Sequence, residues 1–314
     1  MLRETILLNE LIETVSCPLC GQGRYTVLKP AAYPDGLSKE NVVTLYSASS
    51  DHMLFDQMVC CDACSLIYLN PRIKKEFIIE SYSRAVDPTF IKQNPYRIKT
   101  FKRTLQSIVS RYSLDPVGCK SILDIGCAGG AFPKAASEIG FKVTGIEPSR
   151  WLSEQARNLY GLDIRTGILE EQHFAPQSFD VITIWDVIEH LTDPGYVLNE
   201  IHNLLANDGI LVVNYPDYTS LARRLLGYKW PFFLSVHLIY FTPETITGLL
   251  NKHRFEVIEM HPYWQTLELG YALQRARNIL SYFAPVEKLV HLIKLSDLPF
   301  TYNMGQSLIV ARKK

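Results

Sequence analysis

A glycine-rich loop of the kind that lets a backbone approach a ligand closely lies near the middle of the sequence. Residues 123–130 read LDIGCAGG, where an apolar run ends and a helical pattern begins. Glycine permits the tight turn, and the N-terminus of the next helix offers free N–H groups. Glu147 follows Gly126 by 21 residues, at the end of the next apolar run. Because an acid there can accept hydrogen bonds from a ribose diol, the pair predicts a nucleoside-bearing ligand.

Dinucleotides and S-adenosylmethionine both fit such a loop. The dinucleotide pattern G-x-G-x-x-G is missed, because residues 126–130 read GCAGG. Asp124 would lie badly beside a pyrophosphate but well beside a cationic ammonium or sulfonium group. The sequence therefore favours S-adenosylmethionine over a nicotinamide cofactor, and a strand–turn–helix corner without a ligand is the structural alternative.

Two C-x-x-C pairs form a second constellation. Cys17/Cys20 and Cys61/Cys64 account for four of the seven cysteines. Four thiolates on two such turns match a tetrahedral structural zinc site. Cys60 adjoins the second pair, but only Cys61 has the two-residue spacing to Cys64. Unliganded cysteines or a redox pair are the alternatives.

The elements that would position these residues follow from hydrophobic periodicity. Apolar runs at 122–125, 142–146, 163–166, 181–185 and 210–214 alternate with helical patterns at 131–139, 150–160 and 196–205. This alternation predicts an α/β fold with a doubly wound, mostly parallel sheet and helices on both faces. Two later runs, 255–260 and 307–311, would complete the sheet, an amphipathic helix is expected at 95–113, and residues 265–303 are expected to be a helical insertion.

Composition excludes several classes of protein. Lys plus Arg and Asp plus Glu both number 32, with a pI near 7.1, which argues against general nucleic-acid binding. No stretch approaches the roughly 18 apolar residues of a spanning helix. The first 13 residues lack the basic-then-apolar order of a signal peptide, so a cytoplasmic location is expected.

The sequence resembles the class I S-adenosylmethionine-dependent methyltransferases from Tyr96 onward. Five segments in the family's order carry the resemblance: LDIGCAGG (123–130), IEPS (146–149), WDVIEHLTDP (185–194), NDGILVVNYPD (207–217) and HLIYFTPETI (237–246). The last is similar to a segment of the small-molecule branch, with its ubiquinone-type and sugar methyltransferases. Ala128 replaces the usual glycine of the first motif. The resemblance implies a Rossmann-like sheet of seven strands and a methyltransferase domain over residues 76–314, preceded by a zinc-ribbon-like region over residues 1–75.

The resemblance also implies a cofactor site. Asp124 and Gly126 would hold the methionine end, Glu147 the ribose hydroxyls, and Ile168 with Leu169 the adenine. The complete set implied for the cofactor is Asp124, Gly126, Cys127, Ala128, Gly130, Glu147, Pro148, Ile168, Leu169, Trp185 and Asp186.

Methyl transfer needs a base only if the acceptor must lose a proton. His190, His237 and Tyr240 are the candidates at the expected mouth of the site, although either histidine could instead have a structural role. Glu189 is expected to be a solvated helix residue.

The predicted function is methyl transfer from S-adenosylmethionine to oxygen or carbon of a small-molecule acceptor, such as a sugar, a quinone-like ring or a lipid-linked compound. The alternative is a non-catalytic module that uses the zinc knuckles to bind a partner. Residues 277–295 combine apolar and basic residues near helical spacing, so peripheral membrane contact is a further prediction, against a lid or a subunit contact.

Overall fold

The computed structural model describes residues 10–34, 36–46, 54–114, 120–279 and 281–314. The strands are β1 (Ile12–Glu13), β2 (Tyr25–Lys29), β3 (Met58–Cys61), β4 (Ile67–Leu69), β5 (Arg72–Ile73), β6 (Ser121–Ile125), β7 (Lys142–Glu147), β8 (Asp163–Thr166), β9 (Phe179–Trp185), β10 (Leu205–Pro216), β11 (Ile239–Tyr240), β12 (Phe255–Pro262), β13 (Gln265–Glu268), β14 (Pro299–Tyr302) and β15 (Gln306–Lys313).

The α-helices of the described residues are α1 (Lys39–Leu45), α2 (Lys75–Ser83), α3 (Pro88–Lys92), α4 (Asn94–Tyr112), α5 (Ala131–Ile139), α6 (Arg150–Tyr160), α7 (Pro194–Leu204), α8 (Leu221–Leu226), α9 (Pro243–Lys252), α10 (Leu269–Ile279) and α11 (Ala284–Leu292). None of them is long and apolar enough to cross a membrane.

A seven-stranded sheet in the order β12-β15-β10-β9-β6-β7-β8 forms the centre of the fold. Strands β10, β9, β6, β7 and β8 are parallel neighbours, and β15 runs antiparallel to both β10 and β12. The doubly wound, mostly parallel sheet predicted from the sequence is therefore confirmed. Its strand ends differ from the predicted ones by a few residues, most in β10, which begins at Leu205.

Helix α4 shows why the spacing of apolar residues in the sequence predicts a helix. Phe101, Leu105 and Ile108 lie on one face of this helix and are buried. They join a core cluster with residues of α5, such as Phe132, so burial of one apolar stripe fixes the helix on the sheet. A left-handed residue, Ser113, ends the helix.

A second, smaller sheet is built from two distant parts of the chain. It has the order β11-β4-β3-β2, and all its neighbouring strands are antiparallel. Strands β2, β3 and β4 come from the N-terminal region, whereas β11 comes from residues 239–240. The cysteine-containing region therefore shares a sheet with the segment that follows β10.

The insertion at 265–303 contains strands as well as the expected helices. Strand β13 pairs with β14 in antiparallel register, and helices α10 and α11 lie between them in the chain. Thr266 lies opposite Thr301, with 2.9 Å between their hydroxyl oxygens. Cross-strand pairs of this kind stabilise a two-stranded ribbon at the base of the insertion, which the helical pattern did not indicate.

Gly130 and Gly161 give a matched test of the packing behind the glycine loop. Both have left-handed φ values, +78° and +64°. A Cβ at Gly130 would meet the Ala156 Cβ at 2.8 Å, whereas at Gly161 it would meet nothing within 4 Å. We expect Gly161→Ala to lower the free energy of unfolding by about 1–2 kcal/mol through backbone strain. Gly130→Ala should lose about 1–3 kcal/mol more through overpacking. Urea denaturation measures both, and equal losses would contradict the packing argument.

Candidate functional site

A cavity of about 730 Å³ lies where the parallel strands end. The residues after β6, β7, β8 and β9 line one side of it, and residues from α2, α4, α10 and the 231–237 segment line the other. Because parallel strands bring their carboxyl ends to one edge, residues far apart in the sequence meet here.

The cofactor residues implied by the sequence are almost all brought to this cavity. Ten of the eleven line it: Asp124, Gly126, Cys127, Ala128, Glu147, Pro148, Ile168, Leu169, Trp185 and Asp186. Gly130 stands behind the loop, where it packs against Ala156.

The glycine loop is held against the end of β7. The backbone N–H groups of Gly126 and Cys127 both donate to the Ile146 carbonyl, at 2.8 and 2.9 Å. A Cβ at Gly126 would collide with Val187, so a side chain is excluded at this position. Ala128 adopts φ +46°, a left-handed conformation that glycine reaches at lower cost.

Glu147 is buried, and each of its carboxylate oxygens accepts a backbone hydrogen bond, one of them from the glycine loop. One oxygen accepts from the Ala128 N–H at 2.8 Å and the other from the Ser149 N–H at 2.7 Å. Burial raises the pKa of Glu147 to about 7, against the lowering effect of these two bonds. Each carboxylate oxygen has a second lone pair, so the residue can still accept bonds from a ligand in the cavity.

Asp124 carries a buried oxygen without a partner. One carboxylate oxygen accepts from the Thr183 hydroxyl at 2.6 Å. The other has no hydrogen-bond partner within the described ranges. Burial, with Glu147 nearby, raises the pKa of Asp124 to about 8. Such an oxygen is costly to leave unsatisfied, so the site fits a ligand that brings a cationic donor.

Trp185 and Asp186 close the end of β9. The Trp185 ring packs against Phe101, Phe132 and Tyr263, with centroid distances of 4.9, 5.2 and 5.5 Å. Asp186 has φ +53°, and burial raises its pKa while nearby Arg97 lowers it. Sequence reasoning missed Arg97, which lines the cavity from α4, because a single arginine on an amphipathic helix carries no distinguishing signal.

Two histidines that line the cavity lie against each other. The ring centroids of His190 and His237 lie 4.5 Å apart in an edge arrangement. His190 Nδ1 lies 2.8 Å from the Val236 carbonyl oxygen and 2.5 Å from the Tyr82 hydroxyl. Since a carbonyl only accepts, Nδ1 carries the proton and Nε2 is left with a free lone pair.

Both histidines are neutral. Burial lowers the pKa of His190 to about 4. Burial lowers the pKa of His237 well below its ordinary value, and its Nδ1 has no partner in the part of the chain that the structure describes. Tyr240 lies beside them but does not line the cavity, and its hydroxyl donates to the Leu234 carbonyl at 2.9 Å.

Glu189 is not a solvated residue, so that prediction was wrong. Its side chain is 2% exposed, on a short 3₁₀ turn at Ile188–His190 that is covered by other segments. Burial, and then Asp186, raise its pKa well above the ordinary value. One oxygen lies 4.0 Å from His190 Nε2. Tyr82, on α2, also went unpredicted, because it lies outside every recognisable motif.

The four cysteines of the two C-x-x-C pairs meet in one cluster. Cys17 and Cys64 have their sulfurs 3.5 Å apart, as do Cys20 and Cys61, and all four sulfurs lie within 4.8 Å of one another. A tetrahedron of thiolates at about 2.3 Å from zinc would separate the sulfurs by about 3.8 Å. Cys60 is not a member of the cluster. The donor set therefore fits a zinc ion.

Comparison with known proteins identifies a family for this chain. A family described as a methyltransferase domain matches residues 96–260, more than half of the chain. The mitochondrial ubiquinone biosynthesis O-methyltransferase of Schizosaccharomyces pombe is 34% identical over 113 residues, covering 34% of this chain and 41% of that protein. The Azorhizobium caulinodans enzyme of the same name is 30% identical over 167 residues, covering 47% and 63%. The chain thus spans less than two thirds of the length of these relatives.

Among solved structures, a chain from the Haloferax volcanii complex of a methyltransferase activator with a methyltransferase aligns with a TM-score of 0.50. The alignment is 13% identical and covers 72% of this chain and 94% of that one, which shows the fold alone. The matched methyltransferase domain and the glycine loop at the end of β6 show the family. The chain belongs to the class I S-adenosylmethionine-dependent methyltransferases.

Proposed function

We propose that the protein transfers a methyl group from S-adenosylmethionine to a hydroxyl oxygen of a small, quinone-like acceptor. One observation carries the proposal: a single cavity is lined both by Asp124, with its unpartnered oxygen among the described residues, and by the neutral pair His190 and His237. The first matches a cationic cofactor and the second a hydroxyl that must lose its proton. The names of the relatives, ubiquinone biosynthesis O-methyltransferases, support oxygen over carbon as the methylated atom.

The cofactor would be held as follows. Asp124 would accept from its ammonium group, Glu147 would accept from the ribose hydroxyls, and Ile168 with Leu169 would flank the adenine. Gly126 has no Cβ, so the backbone can approach the cofactor closely. Trp185 and Asp186 would lie beside the methyl-bearing end of the cofactor. S-adenosylmethionine supplies an already activated methyl group, so the chain's own residues supply alignment and exclusion of water.

Proton removal would fall to the histidine pair. The Val236 carbonyl holds His190 in the tautomer with a free Nε2, and His237 Nδ1 is likewise unpartnered in the described residues. Bases with lowered pKa values suit a phenolic hydroxyl, with a pKa near 10 in the free state, better than a far less acidic aliphatic alcohol. Tyr240 would act through the loop backbone, since its hydroxyl bonds the Leu234 carbonyl.

A structural zinc ion in the four-cysteine cluster is part of the proposal, with Cys17, Cys20, Cys61 and Cys64 as ligands. Zinc would stabilise the region of residues 1–75, which has few residues to form a core of its own. We keep this region and the domain over residues 76–314 as proposed units, although they share the sheet that contains β11.

Peripheral membrane contact and a cytoplasmic location stay predictions from the sequence. Helix α11 supports the first, because Leu289 and Leu292 are 55% and 77% exposed. Lys288 and Lys294 are also exposed and would face anionic headgroups.

Asp124→Asn tests the cofactor site. The amide keeps an acceptor for Thr183 but removes the charge, so affinity for S-adenosylhomocysteine should fall by about 10- to 100-fold, the range for a bond to a charged group. Because the folded pKa of Asp124 is raised to about 8, ionisation disfavours the folded state as pH rises. The variant should therefore be at least as stable as the parent at pH 8.

Calorimetric titration measures the affinity. Asp163→Asn is the control, since Asp163 is an exposed carboxylate at the start of β8 that does not line the cavity. Unchanged affinity in Asp124→Asn would remove this residue from the site, and a parent chain that releases no heat would point to the non-catalytic alternative.

His190→Gln and His237→Gln test the acceptor side. Each should lower kcat by about 10²- to 10⁴-fold if its ring takes the proton, while affinity for S-adenosylhomocysteine stays within twofold. A tritium-transfer assay on catechols, hydroquinones and sugar nucleotides measures turnover. His253→Gln, at a half-buried histidine that is bonded to Asn199 and does not line the cavity, is the control. Full activity in both variants would rule out histidine as the base.

Elemental analysis tests the metal. The purified chain should contain about one zinc, because four thiolates complete one tetrahedral site. Cys61→Ser should lose the metal, whereas Cys60→Ser should retain it, since Cys60 lies outside the cluster. Loss in Cys60→Ser alone would shift the ligand set by one residue.

A further inference from the structure

The sheet that carries the cysteine hairpin is completed by a strand from the catalytic part of the chain. Strand β4 pairs with β11, so that Tyr68 lies opposite Ile239. The Leu69 N–H also donates to the Leu238 carbonyl at 2.9 Å. Leu238 directly follows His237, so the backbone beside this histidine belongs to the same sheet as the cysteines.

Residues 54–55 hold the other end of this segment, the loop of residues 233–238, through two further hydrogen bonds. The Leu54 N–H donates to the Phe233 carbonyl at 2.9 Å, and the Phe55 N–H donates to the Ser235 hydroxyl at 3.0 Å. The following residue, Asp56, is fully buried and accepts from the Tyr46 hydroxyl at 2.6 Å. The segment that holds the loop is therefore itself fixed in the N-terminal region.

Both histidines depend on this loop. His237 is part of it, and the Val236 carbonyl is the acceptor that sets the tautomer of His190. The cofactor residues do not depend on it in the same way. Asp124 is bonded to Thr183 on β9, and Glu147 to the backbone of Ala128 and Ser149, all in the central sheet and its loops.

We propose that the four-cysteine region is a positioning element of the acceptor site: the bound metal fixes the β3–β4 hairpin, and this hairpin with residues 54–56 holds the 233–238 loop so that His190 and His237 face the acceptor. The proposal rests on the proposed function and on the proposed zinc ion. This role differs from general stabilisation of the chain, because the metal would position the histidine loop and not the residues proposed for the cofactor. Metal removal should impair turnover of the acceptor and leave cofactor binding intact.

Ser235 isolates the connection without touching the cysteines. Ser235→Ala removes the acceptor of the Phe55 N–H and a hydroxyl that also bonds the buried Asp56 carboxyl group, whereas Ser235→Thr keeps a hydroxyl for both. A misplacement of about 1 Å can lower a rate by about 100-fold, so we expect Ser235→Ala to lower kcat by about 10- to 100-fold and Ser235→Thr to restore most of it. Zinc content should stay that of the parent. Ser107→Ala, at an exposed site on α4, is the control.

The full-length chain is compared as purified, after zinc removal by a chelator, and as the Ser235 variants. Amide hydrogen exchange over 233–240 and 122–130, calorimetry with S-adenosylhomocysteine, and methyl transfer are measured. We expect exchange at 233–240 to rise at least about tenfold on zinc removal, exchange at 122–130 to stay unchanged, and cofactor affinity to stay within about twofold.

Two results would overturn the proposal. Unchanged exchange at 233–240 after complete zinc removal would show that the metal does not hold the loop. A parallel loss of protection at 122–130 and of cofactor affinity would show that zinc stabilises the whole chain without selectivity. Hydrogen exchange needs no acceptor, so these outcomes can be measured even if no acceptor is methylated. A failure to methylate any acceptor would count against the proposed function alone.

Discussion

Four carboxyl groups around one cavity, three of them buried and that of Asp186 half-buried, are the constraint on which the site depends. Asp124, Glu147, Asp186 and Glu189 all line it, and burial raises the pKa of each. Burying acids is unfavourable unless donors or cations compensate them, and here the compensation is backbone N–H groups, the Thr183 hydroxyl, the Gln306 amide and Arg97. Oxygens of Asp124 and Glu189 have no partner among the described residues, which favours a ligand that brings a positively charged donor over one that brings none.

The grouping of the residues proposed for the cofactor around one cavity could be predicted, because these residues are local in the sequence. Parallel strands buried on both faces are near-continuous apolar runs, so their ends are visible without a structure. Asp124 and Glu147 sit at two such ends, and the strand pairing that brings them together is the default for alternating strands and helices. The cysteine cluster was predictable for the same reason, since C-x-x-C spacing is itself local.

The acceptor half could not be predicted, because it is made by long-range contacts. Glu189 has the sequence context of a surface helix, and only its cover by other segments buries it. Tyr82 reaches His190 across 108 residues of chain. The pairing of β11 with β4 joins two-residue and three-residue strands, too short for alternation to indicate them. Each of these contacts depends on the packing of separate regions, which hydrophobic periodicity does not encode.

The two halves therefore differ in how far relatives inform them. The matched methyltransferase domain runs from residue 96 to residue 260. The cofactor residues fall inside it, and so do His190 and His237. Tyr82, the 54–56 segment that holds the histidine loop, and the β13–β14 insertion that lines the opposite wall all fall outside. The residues proposed for the cofactor thus lie within the shared domain, whereas several other residues that line the cavity lie in parts of the chain outside it. Acceptor specificity should be sought in these flanking parts, because a change there alters the wall without disturbing the buried acids.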